Sequence, residues 1–154
     1  MGALGGRSVS ERWALPGVVL ALGGLVVFLF RKIIFTNLIL VGLDVSTYFY
    51  PYRAYVAEAL RQGRIPLWNP YLFLGAPLLA NIQAGVLYPL NWALCWLPAP
   101  RQVSLSIVIH IFLAGFFMYL FARQGAGLGH FGSFLAAVVF ACGGFLGAQV
   151  EHVN

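Results

Sequence analysis

Residues 103–122, VSLSIVIHIFLAGFFMYLFA, form an uncharged run with Arg101 just before it and Arg123 directly after it. A helix needs about 20 mostly apolar residues to cross the hydrocarbon of a bilayer, at 1.5 Å of rise per residue. The run predicts a transmembrane helix, and two further stretches of the same kind set the class of the chain. Residues 13–30 (WALPGVVLALGGLVVFLF) carry no charge and hold eleven Leu, Val or Phe residues. On an insertion scale that content is worth roughly −3 to −7 kcal/mol, where one central Asp or Arg costs about 3. Pro16, near the start, is tolerated if it falls in the first helical turn. Residues 131–150 are uncharged as well and end at Glu151.

Composition agrees with this reading. Of the 154 residues 61% are hydrophobic and 8% charged, against roughly 25% charged in soluble domains, and the mean hydropathy is +0.87. So few charges cannot cover a soluble globule of this size. Disorder requires the opposite composition, and Cys95 and Cys142 both sit in apolar runs, which excludes a disulfide-stapled secreted scaffold. The nine Lys and Arg outnumber four Asp and Glu, but they are scattered near the ends of apolar segments. That suits lipid headgroups better than nucleic acid.

The expected fold is therefore an all-α integral membrane protein with three transmembrane helices and a long first loop. Its parts are a tail (1–12), a first helix (13–30), the loop (31–102), a second helix (103–122), a turn (123–130), a third helix (131–150) and the start of another segment (151–154). The first helix is not a cleaved signal: its apolar core is too long, and it runs into Arg31-Lys32 without a small-residue cleavage site. The loop has no charge from Ile65 to Pro100 but is broken by Pro66, Pro70, Pro77, Pro89 and Pro98. Lipid-exposed irregular backbone is forbidden in hydrocarbon, so this part is expected to lie at the interface or to re-enter the membrane. Trp68, Tyr71, Tyr88, Trp92 and Trp96 suit that depth. A fourth crossing through residues 71–97 is the alternative, and it would invert everything downstream.

Residues 52–62 (YRAYVAEALRQ) predict an amphipathic, surface-lying helix, with Pro51 fitting the first helical position and Gly63 the stop. Tyr52, Tyr55, Val56, Ala59 and Leu60 recur at helical spacing, and Arg53, Glu58, Arg61 and Gln62 are expected away from that stripe. Charge leaves orientation tied: Arg7 and Arg12 precede the first helix, and Arg31 and Lys32 follow it. The chain stops soon after a span, at Glu151-His152-Val153-Asn154, which suggests a fragment of a longer protein.

Asp44 is the most informative residue. It is the only acid between Arg12 and Glu58, and five aromatic residues follow within 48–55. A carboxylate at a membrane surface, beside aromatic faces such as Tyr48 and Tyr52 that could bind a sugar or prenyl chain, can act as general base or hold a divalent cation. The alternative is a solvated acid capping the coming helix. With three crossings, Glu151, His152 and Asn154 lie on the same side of the membrane as Asp44 and could line the same site; the alternative is a solvated helix end. His110 lies within the second span, where a neutral histidine bonded to a neighbouring hydroxyl is the commoner case. Three histidines at 110, 130 and 152 show no paired metal spacing. Among Arg31, Lys32, Arg53, Arg61 and Arg64, Arg53 is the best candidate to bind a lipid phosphate, because it lies among the tyrosines. Gly125, Gly127 and Gly129 read as a short turn between antiparallel helices. Gly143, Gly144, Gly147 and Ala148 give the small-xxx-small spacing of a packing face.

These motifs have a familiar cast. DVSTYFYPYRAY from Asp44, PLWNPYLFLGAPLLANIQAGVLYPLNW from Pro66, HIFLAGFFMYL from His110 and FACGGFLGAQVEHVN from Phe140 together resemble the bacterial YfhO family of membrane proteins, placed in the GT-C superfamily of membrane glycosyltransferases. The resemblance implies a multi-pass protein of the bacterial plasma membrane with a cytoplasmic amino terminus. It implies transfer of a sugar from a polyprenyl-phosphate carrier to a cell-envelope acceptor, with further transmembrane helices and the bilayer as partners. Asp44 then takes the place of the catalytic loop acid, residues 52–62 become a juxtamembrane helix, and Glu151 to Asn154 face outside. GT-C members that pair two acids here differ from this chain, which has Ser46 at the second position, so the metal ligands stay open. The competing expectation is a non-enzymatic transporter, flippase or scaffold for envelope lipids.

Overall fold

The computed structural model describes residues 9–36, 38, 39, 42–72 and 74–144. The described chain is mostly helical and divides into two compact units, one drawn from the described residues of 9–31 and 110–144 and the other from those of 32–109.

In the first unit, helix α1 (Val9–Leu29) packs against helix α6 (His130–Ala141), together with the second half of helix α5 (Ala99–Gln124). Leu22, Tyr119 and Ala137 are buried at its centre, with Val18, Phe112, Leu120, Phe134 and Val138 packed round them. The helices approach closely at Gly115, where an added Cβ would lie 3.1 Å from Ala141 Cβ, 3.6 Å from the Ala137 carbonyl oxygen and 3.7 Å from Leu22 Cδ2. The outward faces stay apolar: Leu20, Phe117, Phe121, Phe131 and Val139 are all more than half exposed.

Helix α5 is longer than expected by four residues at its start and two at its end. At 26 residues it spans about 39 Å, and it is the one helix among the described residues long and apolar enough to cross a membrane. The described side chains of α1 from Leu15 on, and α6, make shorter apolar helices. Two expectations need correction. Pro16 lies inside α1 rather than in its first turn, because the helix begins at Val9; its ring removes a backbone donor there. Helix α6 closes at Ala141, and Cys142 and Gly143 interrupt the helix expected over 131–150 before Gly144 is helical again. Residues 145–150 lie outside the described residues. A Cβ on Gly143 would meet only carbonyls of Val139 and Phe140, and one on Gly144 nothing, so the close approach among the described residues uses Gly115, Ala137 and Ala141; Gly147 and Ala148 of the expected packing face lie outside the described residues. The turn between α5 and α6 is as short as its glycines suggest, with Gly127 at φ +67° and Leu128 N–H donating to the Ala122 carbonyl at 2.9 Å.

In the second unit a five-residue helix α2 (Arg31–Phe35) precedes a π-helical turn, Val45–Phe49, that runs straight into helix α3 (Tyr50–Arg61). Ser46 and Thr47 donate back to the Leu43 carbonyl at 3.1 and 2.6 Å, satisfying backbone that the wider turn leaves open. Helix α3 ends in a Schellman arrangement: Gly63 at φ +69° donates to Leu60 and Arg64 to Ala59, each at 2.9 Å. The remainder is irregular. Strands β1 (Trp68–Asn69) and β2 (Ala76–Pro77) pair antiparallel, Trp68 opposite Pro77, a small departure from all-helical expectation. A 3₁₀ turn (Ile82–Ala84) and helix α4 (Pro89–Leu94) follow, so no described helix between Gly63 and Pro98 exceeds six residues. The core here joins Tyr52, Val56, Leu78, Ala84 and Val86.

Candidate functional site

One helical run carries four of the residues singled out from sequence. Asp44 heads it, exposed to solvent, and its side chain does not cap the helix that follows. Tyr48, one turn on, is half-buried and tilted against Tyr52 with ring centroids 4.3 Å apart. Its hydroxyl accepts from Asn81 Nδ2 at 2.9 Å. Tyr52 itself is buried at 7% exposure, so its ring is core rather than an open sugar-binding face. Burial, with Tyr48 beside it, raises the Tyr52 pKa, and burial alone raises that of Tyr50. Tyr55 hydroxyl donates to the Trp68 carbonyl at 3.0 Å, tying α3 to the first strand.

Arg53 is placed differently from expectation. It is 3% exposed, on the buried side of α3 rather than away from the stripe. The reason is that the 3₁₀ turn at Ile82–Ala84 and α4 both pack against α3. A helical wheel that allows one apolar face cannot show this. Burial lowers the Arg53 pKa to about 10, with Tyr88 opposing the shift, so the guanidinium stays charged at neutral pH. Yet its Nε and Nη1 have no hydrogen-bond partner, the sole buried side-chain polar atoms in that state among the described residues.

The wall facing Arg53 is built from the 81–91 segment. Asn81 Oδ1 accepts from Gln83 N–H at 3.0 Å and starts the 3₁₀ turn, which ends at Gly85 in the left-handed region, φ +57°. Asn91, 3% exposed, donates from Nδ2 to the Gly85 carbonyl at 2.7 Å. A Cβ on Gly85 would stand 2.6 Å from that Nδ2 and 3.7 Å from Arg53 Nη1, so only glycine leaves Asn91 in place beside Arg53. Trp92 Nε1 donates to the Val86 carbonyl at 2.7 Å and holds the far side of the turn. Asn81, Gly85 and Asn91 were not singled out from sequence. The signal available was a turn-forming Asn four residues ahead of a Gly in an uncharged stretch.

The other cations are engaged locally. Arg61 donates from Nε to Cys95 O at 2.8 Å and from Nη2 to Leu97 O at 3.2 Å. Arg64 bonds Gln62, Arg101 bonds the Ile33 and Ile34 carbonyls, and Arg31 bonds Phe28 O and lies over the Phe28 ring. Beside Arg64 an apolar groove of about 260 Å³ is lined by Leu60, Ile65, Trp92, Cys95 and Trp96. His110 lies exposed on α5, and His130 Nδ1 pairs with the Tyr119 hydroxyl at 2.8 Å. Among the described residues no three metal-ligating side chains gather. Glu151, His152 and Asn154 lie outside the described residues. Comparison of the chain with protein-family models, curated proteins and solved structures gives no match.

Proposed function

We propose that the chain belongs to a multi-pass membrane glycosyltransferase of GT-C type, in the bacterial plasma membrane. It transfers a sugar from a polyprenyl-phosphate carrier to a cell-envelope acceptor. The first, second and third apolar segments cross the bilayer, and the second unit is the long extracytoplasmic loop between the first two. The apolar outward faces of α1, α5 and α6 support the membrane setting, since exposed aromatic and aliphatic surface of this kind is a liability in water.

The observation that carries the reading is a buried cation with donors to spare, Arg53, on the helical run that an exposed carboxylate, Asp44, heads. Asp44, at the solvent-facing head, takes the proton from the acceptor hydroxyl as it attacks the anomeric carbon. Arg53 stabilises the negative charge that grows on the carrier phosphate as the sugar–phosphate bond breaks. Tyr48 offers the accessible aromatic face. Glu151, His152 and Asn154 line the sugar pocket, and a divalent cation at Asp44 is an optional part of the scheme.

The test supplies polyprenyl-phosphate-linked sugar and envelope acceptor to membranes carrying the protein, with and without divalent cation. Asp44→Asn is expected to abolish transfer while leaving membrane insertion intact. Unchanged transfer removes Asp44 from the mechanism. Movement of the lipid-linked sugar across the bilayer without glycosylation replaces the enzyme reading by that of a flippase.

A further inference from the structure

We infer that the Arg53 guanidinium, together with Asn91 and the side-chain-free position at Gly85, forms a binding site for a singly charged phosphoryl oxyanion. A guanidinium remains protonated at neutral pH even when burial lowers its pKa, and a buried charge without partners is among the most destabilising features a fold can carry. Here Nε and Nη1 are both shielded from solvent and both unpartnered. Among the described residues no acceptor lies within hydrogen-bond reach of either. Natural folds satisfy nearly all buried polar groups, so such a group points to a missing acceptor.

The geometry of the wall defines what that acceptor is. Asn91 Nδ2 spends one N–H on the Gly85 carbonyl at 2.7 Å and has a second to give. That nitrogen and Arg53 Nη1 flank the point where a side chain at 85 would begin, at 2.6 and 3.7 Å. The open donors here are Arg53 Nε and Nη1, with the second N–H of Asn91 beside them. An oxyanion uses three donors at once, whereas a cation or an apolar group uses none. Charge sets the count. Arg53 is the one charged residue among the buried described residues, so one negative charge balances the site and a second would be buried without compensation. A phosphodiester, or the singly charged form of phosphate, fits, and a diphosphate does not. The choice of phosphoryl over other oxyanions rests on the carrier-phosphate reading above. The binding measurement itself needs no sugar transfer, so the two can fail separately.

The experiment measures unfolding of the whole chain in a maltoside detergent free of phosphate, titrated with inorganic phosphate, with phosphatidylglycerol or with pyrophosphate. At about 100 times its Kd a ligand that binds only the folded state shifts the folded-to-unfolded ratio about 100-fold. Phosphatidylglycerol, inorganic phosphate or both are expected to give a saturable shift of that kind, and pyrophosphate at least tenfold weaker binding. A response to the lipid alone identifies a headgroup as the source, and a response to both identifies the phosphoryl group itself. Arg53→Met is expected to abolish the response and, without ligand, to be more stable than the parent chain, because it removes an unpaired buried charge. Arg53→Lys keeps the charge with a different donor geometry and is expected to bind more weakly yet still respond. A structural arginine would behave in the opposite way. A ligand-free Arg53→Met chain less stable than the parent, or a parent chain with no Arg53-dependent response to either phosphoryl ligand, overturns the inference.

Discussion

Replacing Gly85 by Ala tests the local architecture of the candidate site with an internal control. Gly85 has φ +57°, and an added Cβ would sit 2.6 Å from Asn91 Nδ2. Two costs follow. A residue with a Cβ in the left-handed region loses about 1–2 kcal/mol. The Asn91 amide must also retreat by several tenths of an ångström, which breaks its 2.7 Å bond to the Gly85 carbonyl. Leaving that buried donor unmade costs about 1–3 kcal/mol more. Gly63→Ala provides the comparison: φ is +69°, but nothing lies within 4 Å of the added Cβ, so only the conformational cost applies. Both glycines are in the same unit. Denaturant titration in micelles, read on tryptophan emission, is expected to show Gly85→Ala less stable than Gly63→Ala by about 1–3 kcal/mol. Asn91→Ala in the same background should erase most of that excess, because the contact is then gone. Equal losses at the two glycines would refute the claim that Asn91 is clamped against this turn.

Two further outcomes are expected. Gly115→Val should destabilise the first unit by about 1–3 kcal/mol through overpacking, since the new Cβ alone already meets Ala141 at 3.1 Å; Ala141→Gly should restore part of the loss in thermal unfolding followed by circular dichroism. The second concerns pH. Burial lowers the folded pKa of Arg53 to about 10, below that of the unfolded chain, so the unfolded state holds the proton longer and stability rises with pH above about 10. Below that the penalty is present in full. Without ligand, the deficit of the parent chain relative to Arg53→Met should therefore be constant near neutrality and shrink by up to ~1.4 kcal/mol per pH unit above pH 10. A deficit independent of pH would mean that Arg53 charge is not its source.

The parts of the fold that depend on neighbours in sequence were legible in it. Helix α3 was expected over 52–62 and runs over Tyr50–Arg61; Gly63 closes it through contacts spanning no more than five residues, while the π-turn that already runs into Pro51 leaves no mark of its own in the sequence. The long apolar helix α5 was readable for the same reason: hydropathy over twenty residues is a sum of local terms. What was missed is non-local. The contact at Gly115 depends on which faces of three helices meet, and the glycine pair at 143 and 144 carries a stronger pattern than Ala137 and Ala141, which make the contact. The β1–β2 pair has only two residues per strand, too few to leave an alternating pattern, and it is held by Leu74 at φ +62° and Gly75 at φ +117°.

Arg53 shows the same limit at the candidate site, and there the error carries information. Helical periodicity puts an arginine outside the apolar stripe on the assumption that charge seeks water and that a helix has one covered side. Both assumptions fail when a segment thirty residues downstream closes over the second side, as Gly85 and Asn91 do. Local sequence consistency is normally the mark of a well-formed fold, and violations concentrate where function requires them. A buried guanidinium with two open donors is such a violation, and it lies on the helical run that begins with the exposed Asp44. The acid could be picked out because it stands alone among aromatics in the sequence. Arg53 is distinguished from the other arginines only in three dimensions, where Arg31, Arg61, Arg64 and Arg101 each donate to nearby oxygens and Arg53 leaves two donors unspent.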